Sequence, residues 1–152
     1  MALRTHSSTA VEKYSQKAAD KCVPLDSELI KEAIPLFTQI HHCGSVLAEV
    51  FFAMMISRIL YGSVPAPGTM LIFSILLATC SIGTPGLPWG TVMVSLGTLT
   101  GILKFGDSGM ALMFAVFALN DAFAAACNAT CDGAAALFLT GYVKRHDFSN
   151  RL

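Results

Sequence analysis

A polar stripe inside a long apolar run constrains this chain more than any other feature of its sequence. Residues 110–143 are mostly apolar, yet they contain Asp121, Asn128 and Asp132. In a helix that turns about 100° per residue, these three side chains lie within about 40° of one another. Ionisable groups at membrane depth cost roughly 2.5 kcal/mol or more each, so they normally face a protein interior or a water-filled cavity. The sequence therefore predicts a membrane helix whose polar face marks an ion or substrate pathway; the alternative is a buried helix of a soluble protein.

The composition favours the membrane interpretation. Of 152 residues, 54% are hydrophobic and 13% are charged, and the mean hydropathy is +0.61, whereas about a quarter of the residues in a soluble domain are charged. The net charge of zero argues against nucleic acid as a partner, because phosphate binding needs a basic surface. Between residues 33 and 143 only six side chains carry a formal charge: Glu49, Arg58, Lys104, Asp107, Asp121 and Asp132.

The five cysteines are an odd number without CxxC spacing, so they predict neither a disulfide framework nor a zinc motif. Cys127 and Cys131 lie one helical turn apart. Small residues at this spacing are more typical of close helix packing than of metal binding, and packing is the role we predict for this pair.

Residues 29–61 form a second long apolar segment with a polar centre. Two apolar pieces, 29–39 and 46–61, flank a centre that contains His41, His42 and Cys43. The whole segment exceeds the roughly 20 residues that span a bilayer, so we predict one spanning helix that unwinds at residues 40–45 beside a cavity. A metal site is the alternative, but a ligand set needs three or four convergent groups.

Residues 69–103 consist of two apolar arms around a break rich in glycine and proline. The arms, 69–80 and 91–103, are too short to cross the membrane, and their length is typical of re-entrant segments. Broken helices that meet near the midplane are the usual construction of secondary transporter sites. We predict a re-entrant hairpin; the alternative is a plain two-helix hairpin with a surface turn. The basic residues of the tail, 144–152, place it on the cytoplasmic side.

The N-terminal residues lack the apolar core of a secretory signal. Ser7 or Ser8 is the candidate N-cap of a helix that would carry Val11, Tyr14 and Ala18 on one face. A loop and a new helix start follow at residues 23–28.

The hairpin break resembles a motif of a known family. Residues 81–88, Ser-Ile-Gly-Thr-Pro-Gly-Leu-Pro, are similar to the tip of the second re-entrant hairpin in the sodium:dicarboxylate symporter family (glutamate transporter homologues), where Ser-Ile-Gly-Thr-Ala-Gly-Val-Pro recurs. Roughly 40 residues further on, Asp121, Asn128, Thr130 and Asp132 resemble the last helix of that family, and two motifs in the same order are more specific than either alone. Residues 39–45 fall where the unwound seventh helix has Thr-Ile-Asn-Met-Asp-Gly-Thr, and residues 4–9 fall at the serine-rich tip of the first hairpin.

The resemblance implies an all-α integral membrane fold in which residues 1–152 form part of a glutamate-transporter-like transport domain. Its parts would be the second arm of the first hairpin (1–28), the unwound spanning helix (29–61), the re-entrant hairpin (69–103), the final spanning helix (110–143) and the cytoplasmic tail (144–152). It implies a multi-pass symporter of the cell (inner or plasma) membrane, not an enzyme. Such a protein couples uptake of an amino acid or dicarboxylate to a cation.

The resemblance also assigns a substrate site. Asp121 matches the acid that binds the substrate amino group, and Ser7, Ser8 and Leu87 would lie near the substrate.

Five further residues match sodium ligands of the family. Asn128 and Asp132 would bind one ion, and the backbone carbonyls of Ser81, Ile82 and Thr84 would bind a second. Carboxylate, amide and carbonyl oxygens are the ligands that a hard cation such as sodium takes.

Several positions depart from the family pattern. Ala124 stands where members with acidic substrates have an arginine, so a bidentate clamp for a second carboxylate is missing. His41 and Cys43 stand where the family has Asn and Asp, so oxygen ligands for sodium are lost. These losses favour a neutral substrate or proton coupling through His41. They also fit a second function, a non-transporting structural or regulatory relic of the fold.

Family members have eight spanning helices and two hairpins, so the resemblance covers only the C-terminal part of the family's length. We therefore expect the chain to act with a six-helix N-terminal portion or partner chain. By resemblance, the assembly would be a homotrimer in the lipid bilayer.

Overall fold

The computed structural model describes Arg4, Ser7 and residues 9–21, 27–84 and 90–146. Regular structure within these residues is entirely helical, which confirms the predicted all-α class. After a 3-10 turn, Thr9–Val11, six helices follow: α1 (Glu12–Ala19), α2 (Ser27–Ile40), α3 (Cys43–Tyr61), α4 (Pro67–Ile82), α5 (Gly90–Gly101) and α6 (Asp107–Arg145).

Two stretches are long and apolar enough to cross a membrane. One is Glu28–Tyr61, 34 residues that comprise α2 and α3, and the other is α6 with 39 residues. At 1.5 Å per residue, α6 is about 58 Å long, well beyond the roughly 30 Å hydrocarbon core. It extends past the predicted range 110–143 at both ends. Charged side chains stabilise both ends of α6: Asp107 lies in the first turn, and Lys144 and Arg145 lie in the last turn. Each charge is opposite in sign to the end of the helix dipole that it faces.

The break in the first stretch lies inside the predicted unwound region. Helix α2 ends at Ile40 and α3 begins at Cys43, so the chain leaves the helix at His41 and His42. Both α2 and α3 pack against α6. The break therefore faces the middle of α6, where the polar stripe lies.

A proline inside α2 explains one contact with α1. Pro35 has no N–H to donate to the carbonyl of Lys31 one turn earlier. The side-chain amide of Gln16 on α1 donates to that carbonyl instead, at 3.4 Å. A side chain from a neighbouring helix thus satisfies the group that the proline leaves unpaired.

The buried face of α1 differs from the predicted one. Ala19 packs with Ile30 and Ile34 of α2 and with Ala136 of α6, whereas Tyr14 and Ala18 are exposed. The prediction that Val11, Tyr14 and Ala18 share one face is wrong, because Val11 is buried and the other two are exposed. Short helices take their orientation from their neighbours, and α1 docks on both α2 and α6.

Helices α4 and α5 pack against each other and against α3. One apolar cluster joins Phe73 and Leu77 of α4 to Leu99 of α5, with Ala53 and Met113 contributed by α3 and α6. The outer ends of both arms lie at the same end of the bundle, where the hydroxyl of Tyr61 accepts a hydrogen bond from the backbone nitrogen of Gly106 at 2.9 Å. Residues 85–89, the centre of the predicted hairpin break, lie outside the described residues.

Candidate functional site

The polar stripe of α6 faces the protein interior. Asp121 is 5% exposed, Asn128 3% and Asp132 1%. These residues lie seven and four positions apart, so a single helix face buries all three. The contacts of this face show what the stripe meets.

Asn128 meets the start of α3. Its side-chain oxygen accepts hydrogen bonds from the backbone nitrogens of Gly44, at 2.8 Å, and Ser45, at 3.3 Å, and its side-chain nitrogen donates to the Ser45 hydroxyl at 2.9 Å. The first N–H groups of a helix have no partner within the helix, and His42, at the N-cap position, makes no side-chain cap. An amide from α6 therefore caps α3.

Asp132 meets the other side of the break. Its Oδ1 lies 3.1 Å from Nδ1 of His41, and its Oδ2 lies 3.4 Å from the hydroxyl of Thr38 at the end of α2. That hydroxyl donates its single hydrogen to the carbonyl of Ile34, the nearer acceptor, at 2.9 Å. Asn128 and Asp132 together hold both ends of the helix break against α6.

His42 connects the break to the hairpin. Its side chain is buried, and its Nδ1 lies 2.9 Å from the carbonyl oxygen of Ser81 in the last turn of α4. The backbone nitrogen of Thr84 donates to the same oxygen at 3.1 Å. Of the other two residues predicted to bind a cation through their carbonyls, Ile82 has an exposed side chain and Thr84 is buried. Leu87, predicted to lie near the substrate, is outside the described residues.

The backbones of α3 and α6 approach closely at Gly44. A Cβ atom at this position would lie 2.6 Å from Cβ of Cys127 and 2.7 Å from the carbonyl oxygen of Ala124. Cys127 thus borders a tight helix contact, the packing role expected of it. Ala124, where an arginine would be needed to pair a second carboxylate, is buried in the same contact.

The N-terminal turn lies against the same part of α6. Val11 packs against Ala125, one turn after Asp121. Ser7 is buried, and its hydroxyl accepts a hydrogen bond from the backbone nitrogen of Ala10 at 3.3 Å, so it caps the 3-10 turn as predicted for Ser7 or Ser8. Ser8 lies outside the described residues. Ser7 and Asp121 are both buried.

One buried polar pair carried no predicted role. Glu49 on α3 is fully buried, and its carboxyl Oε1 accepts a hydrogen bond from the hydroxyl of Ser95 on α5. None of the described residues forms a hydrogen bond with its other oxygen. The sequence signal is a single carboxylate within the apolar piece 46–61, which indicates a buried partner without identifying it.

A cavity of about 480 Å³ opens beside the break. Its walls come from the break and α3 on one side and α4 on the other, and they include His41, His42 and Ser81. The polar residues of α6 do not line it. It therefore lies on the hairpin side of the break, across from the Asp121 face.

These features define the class of protein. A break in a long apolar segment, two packed arms and a buried polar face on a long apolar helix are features of the kind from which secondary transporter sites are built. The model of the sodium:dicarboxylate symporter family matches residues 1–141, and the chain belongs to that family. The family is one of membrane transporters, not of enzymes. We found no significant similarity to a curated protein and none to a solved structure.

Proposed function

We propose that the chain is the transport-core part of a symporter that moves an amino acid or a dicarboxylate together with a cation, sodium or a proton. The observation that carries this proposal is the burial of Asp121, Asn128 and Asp132 on one face of α6, opposite the break between α2 and α3. Buried carboxylates at membrane depth mark ion and substrate pathways. Family membership adds the transport function to this geometry.

Asp121 is the proposed partner of the substrate amino group, since an ammonium group and a carboxylate form a charge-assisted hydrogen bond. Ser7 and Ser8 are proposed to contact the substrate from the N-terminal turn, and Leu87 from the hairpin tip. The burial of Ser7 and the packing of Val11, in the same N-terminal turn, against Ala125 of α6 support this arrangement. Because Ala124 offers no cation on this face, a neutral amino acid fits better than a substrate with a second carboxylate.

We further propose that the core is multi-pass, lies in the cell (inner or plasma) membrane and works with a six-helix portion or partner chain. Large apolar side chains are exposed on α3, α4 and α6, for example Leu47, Leu71, Leu119 and Phe138. Lipid or a further helix would cover such side chains in a membrane.

Substrate binding tests the proposal. Isothermal titration of the purified chain, alone and co-expressed with a six-helix portion, should detect one member of a panel of L-amino acids and dicarboxylates. Asp121→Asn should weaken amino-acid binding about tenfold or more, the effect expected for one hydrogen bond to a charged group. The matched control is Asp107→Asn, which removes an exposed carboxylate from the same helix. Equal affinity of the two variants would refute the role of Asp121.

A second candidate function is a non-transporting structural or regulatory relic of the same fold. The observation that favours it is that Asn128 and Asp132 already bond to Gly44, Ser45, Thr38 and His41, so these contacts hold the helices together. If no amino acid or dicarboxylate binds with the six-helix portion present, and uptake is absent, the relic is the remaining function.

A further inference from the structure

The family's name implies sodium, and the structure allows a test of whether the described residues fit that ion. By resemblance, the first cation site consists of Asn128 and Asp132, and the second consists of the carbonyls of Ser81, Ile82 and Thr84. A sodium ion needs oxygen atoms with free lone pairs that point at a common centre. An oxygen whose lone pairs already accept hydrogen bonds has none left for an ion.

In the first cation site, the amide oxygen of Asn128 is fully used. It has two lone pairs, and the N–H groups of Gly44 and Ser45 occupy them at 2.8 and 3.3 Å. The amide cannot simply rotate its oxygen elsewhere, because its nitrogen donates to the Ser45 hydroxyl. Asn128 is committed to capping α3.

The carboxylate of Asp132 faces the His41 ring at Oδ1 and lies near the Thr38 hydroxyl at Oδ2, although the shorter contact of that hydroxyl is with the Ile34 carbonyl. His41 Nδ1 lies at 3.1 Å from Oδ1, and the Thr38 hydroxyl lies at 3.4 Å from Oδ2. When Asp132 is ionised, its carboxylate only accepts hydrogen bonds, and His41 Nδ1 then carries the hydrogen in this contact. The positive end of the imidazole N–H dipole thus lies where a cation would approach from the break.

In the second cation site, the Ser81 carbonyl likewise faces an imidazole. The Ser81 carbonyl has two lone pairs, and it faces His42 Nδ1 at 2.9 Å and the Thr84 N–H at 3.1 Å. A carbonyl can only accept, so His42 Nδ1 is the donor here.

We infer that the adjacent imidazoles of His41 and His42 take the places of the two sodium ions, so that this chain assembles its site without sodium. Each imidazole N–H meets an oxygen that the resemblance assigns to a different cation. The break brings this about because two consecutive residues that leave the helix can point to opposite sides, one to α6 and one to α4. The inference rests on the proposed function, since it concerns how that transport core holds its substrate face together.

The test compares thermal unfolding of the full chain in detergent with sodium chloride or choline chloride at equal ionic strength. An ion that binds only the folded state raises the midpoint temperature of unfolding. The wild-type midpoint should be the same in both salts. His41→Ala removes the donor to Asp132 and should gain a sodium response of about 3 to 6 °C once sodium exceeds its Kd roughly tenfold. Adding Asp132→Asn to His41→Ala should abolish that response.

Two results would overturn the inference. One is a sodium-dependent rise in the wild-type midpoint that Asp132→Asn removes; the other is a folded His41→Ala chain that remains indifferent to sodium. If His41→Ala does not fold, the line width of the sodium-NMR signal is compared between the wild-type chain and Asp132→Asn. A wild-type signal no broader than that of Asp132→Asn supports the inference. A broader wild-type signal refutes it. No substrate enters these measurements, so their outcome is separate from the amino-acid binding that tests the proposed function.

Discussion

The side-chain oxygen of Asn128 lies 2.8 Å from the backbone nitrogen of Gly44, a residue 84 positions earlier in the chain. This contact joins the polar stripe of α6 to the first turn of α3. A residue that the resemblance assigns to a cation therefore also has a structural role. The two roles make different predictions about what its removal does.

Replacing Asn128 by Ala should lower the free energy of unfolding by about 1 to 3 kcal/mol, because it leaves two buried N–H groups without acceptors. Thermal unfolding in detergent without added substrate measures the loss. Asn120→Ala is the control, since Asn120 lies on the same helix outside this cluster. An equal loss in both variants would show that Asn128 does not cap α3.

Gly44→Ala should destabilise the contact between α3 and α6. The added methyl would lie 2.6 Å from Cβ of Cys127 and 2.7 Å from the carbonyl of Ala124, so the helices must move apart at a cost of about 1 to 3 kcal/mol. The control is Gly133→Ala on α6, where no atom lies within 4 Å of the new methyl. That change should be stabilising by up to about 1 kcal/mol, because alanine is the better helix former. Unchanged stability of Gly44→Ala would contradict the close approach.

The order of the elements could be predicted from the sequence. Helical breaks leave polar and glycine residues in apolar runs, so the pattern predicted an interruption within residues 40–45, and the structure has it at His41 and His42. The long apolar run located α6 to within a few residues. The partners of the polar groups could not be predicted in this way. Glu49 and Ser95 are 46 residues apart, and a single carboxylate in an apolar helix does not identify the side chain that it meets.

The Glu49–Ser95 pair should link α3 to α5 energetically. Ser95→Ala leaves a fully buried carboxyl without its described donor, and Glu49→Ala removes the carboxyl itself. In a double-mutant cycle of unfolding free energies, the two changes should couple by about 0.5 to 3 kcal/mol. Thr100→Ala, on the exposed side of α5, should change stability by no more than about 0.5 kcal/mol. Strict additivity of Glu49→Ala and Ser95→Ala would show that the contact carries no energy.

The contact between Gln16 and α2 should depend on Pro35. Gln16→Ala removes the donor to the Lys31 carbonyl and should cost about 0.5 to 1 kcal/mol. In a Pro35→Ala background the backbone supplies its own N–H for that carbonyl, so Gln16→Ala should then cost close to nothing. Unfolding free energies of the four chains measure this difference, and an equal cost of Gln16→Ala in both backgrounds would refute the replacement of one donor by the other.

The two arms of the hairpin, α4 and α5, are short compared with the thickness of a membrane. Helices α4 and α5 have 16 and 12 residues, about 24 and 18 Å at 1.5 Å per residue, and the hydrocarbon core is about 30 Å thick. Neither arm can cross it alone, so we predict that the segment enters the membrane and returns to the side from which it came.

Single cysteines at Gly68 and Lys104, both exposed, would mark its two ends in a chain whose native cysteines are replaced. The Gly68 position has open space around it, so the new side chain should not disturb the fold. A membrane-impermeant maleimide applied to vesicles of known orientation should label both positions from the same side. Labelling from opposite sides would mean that the segment crosses the bilayer from one side to the other, and the hairpin assignment would then be wrong.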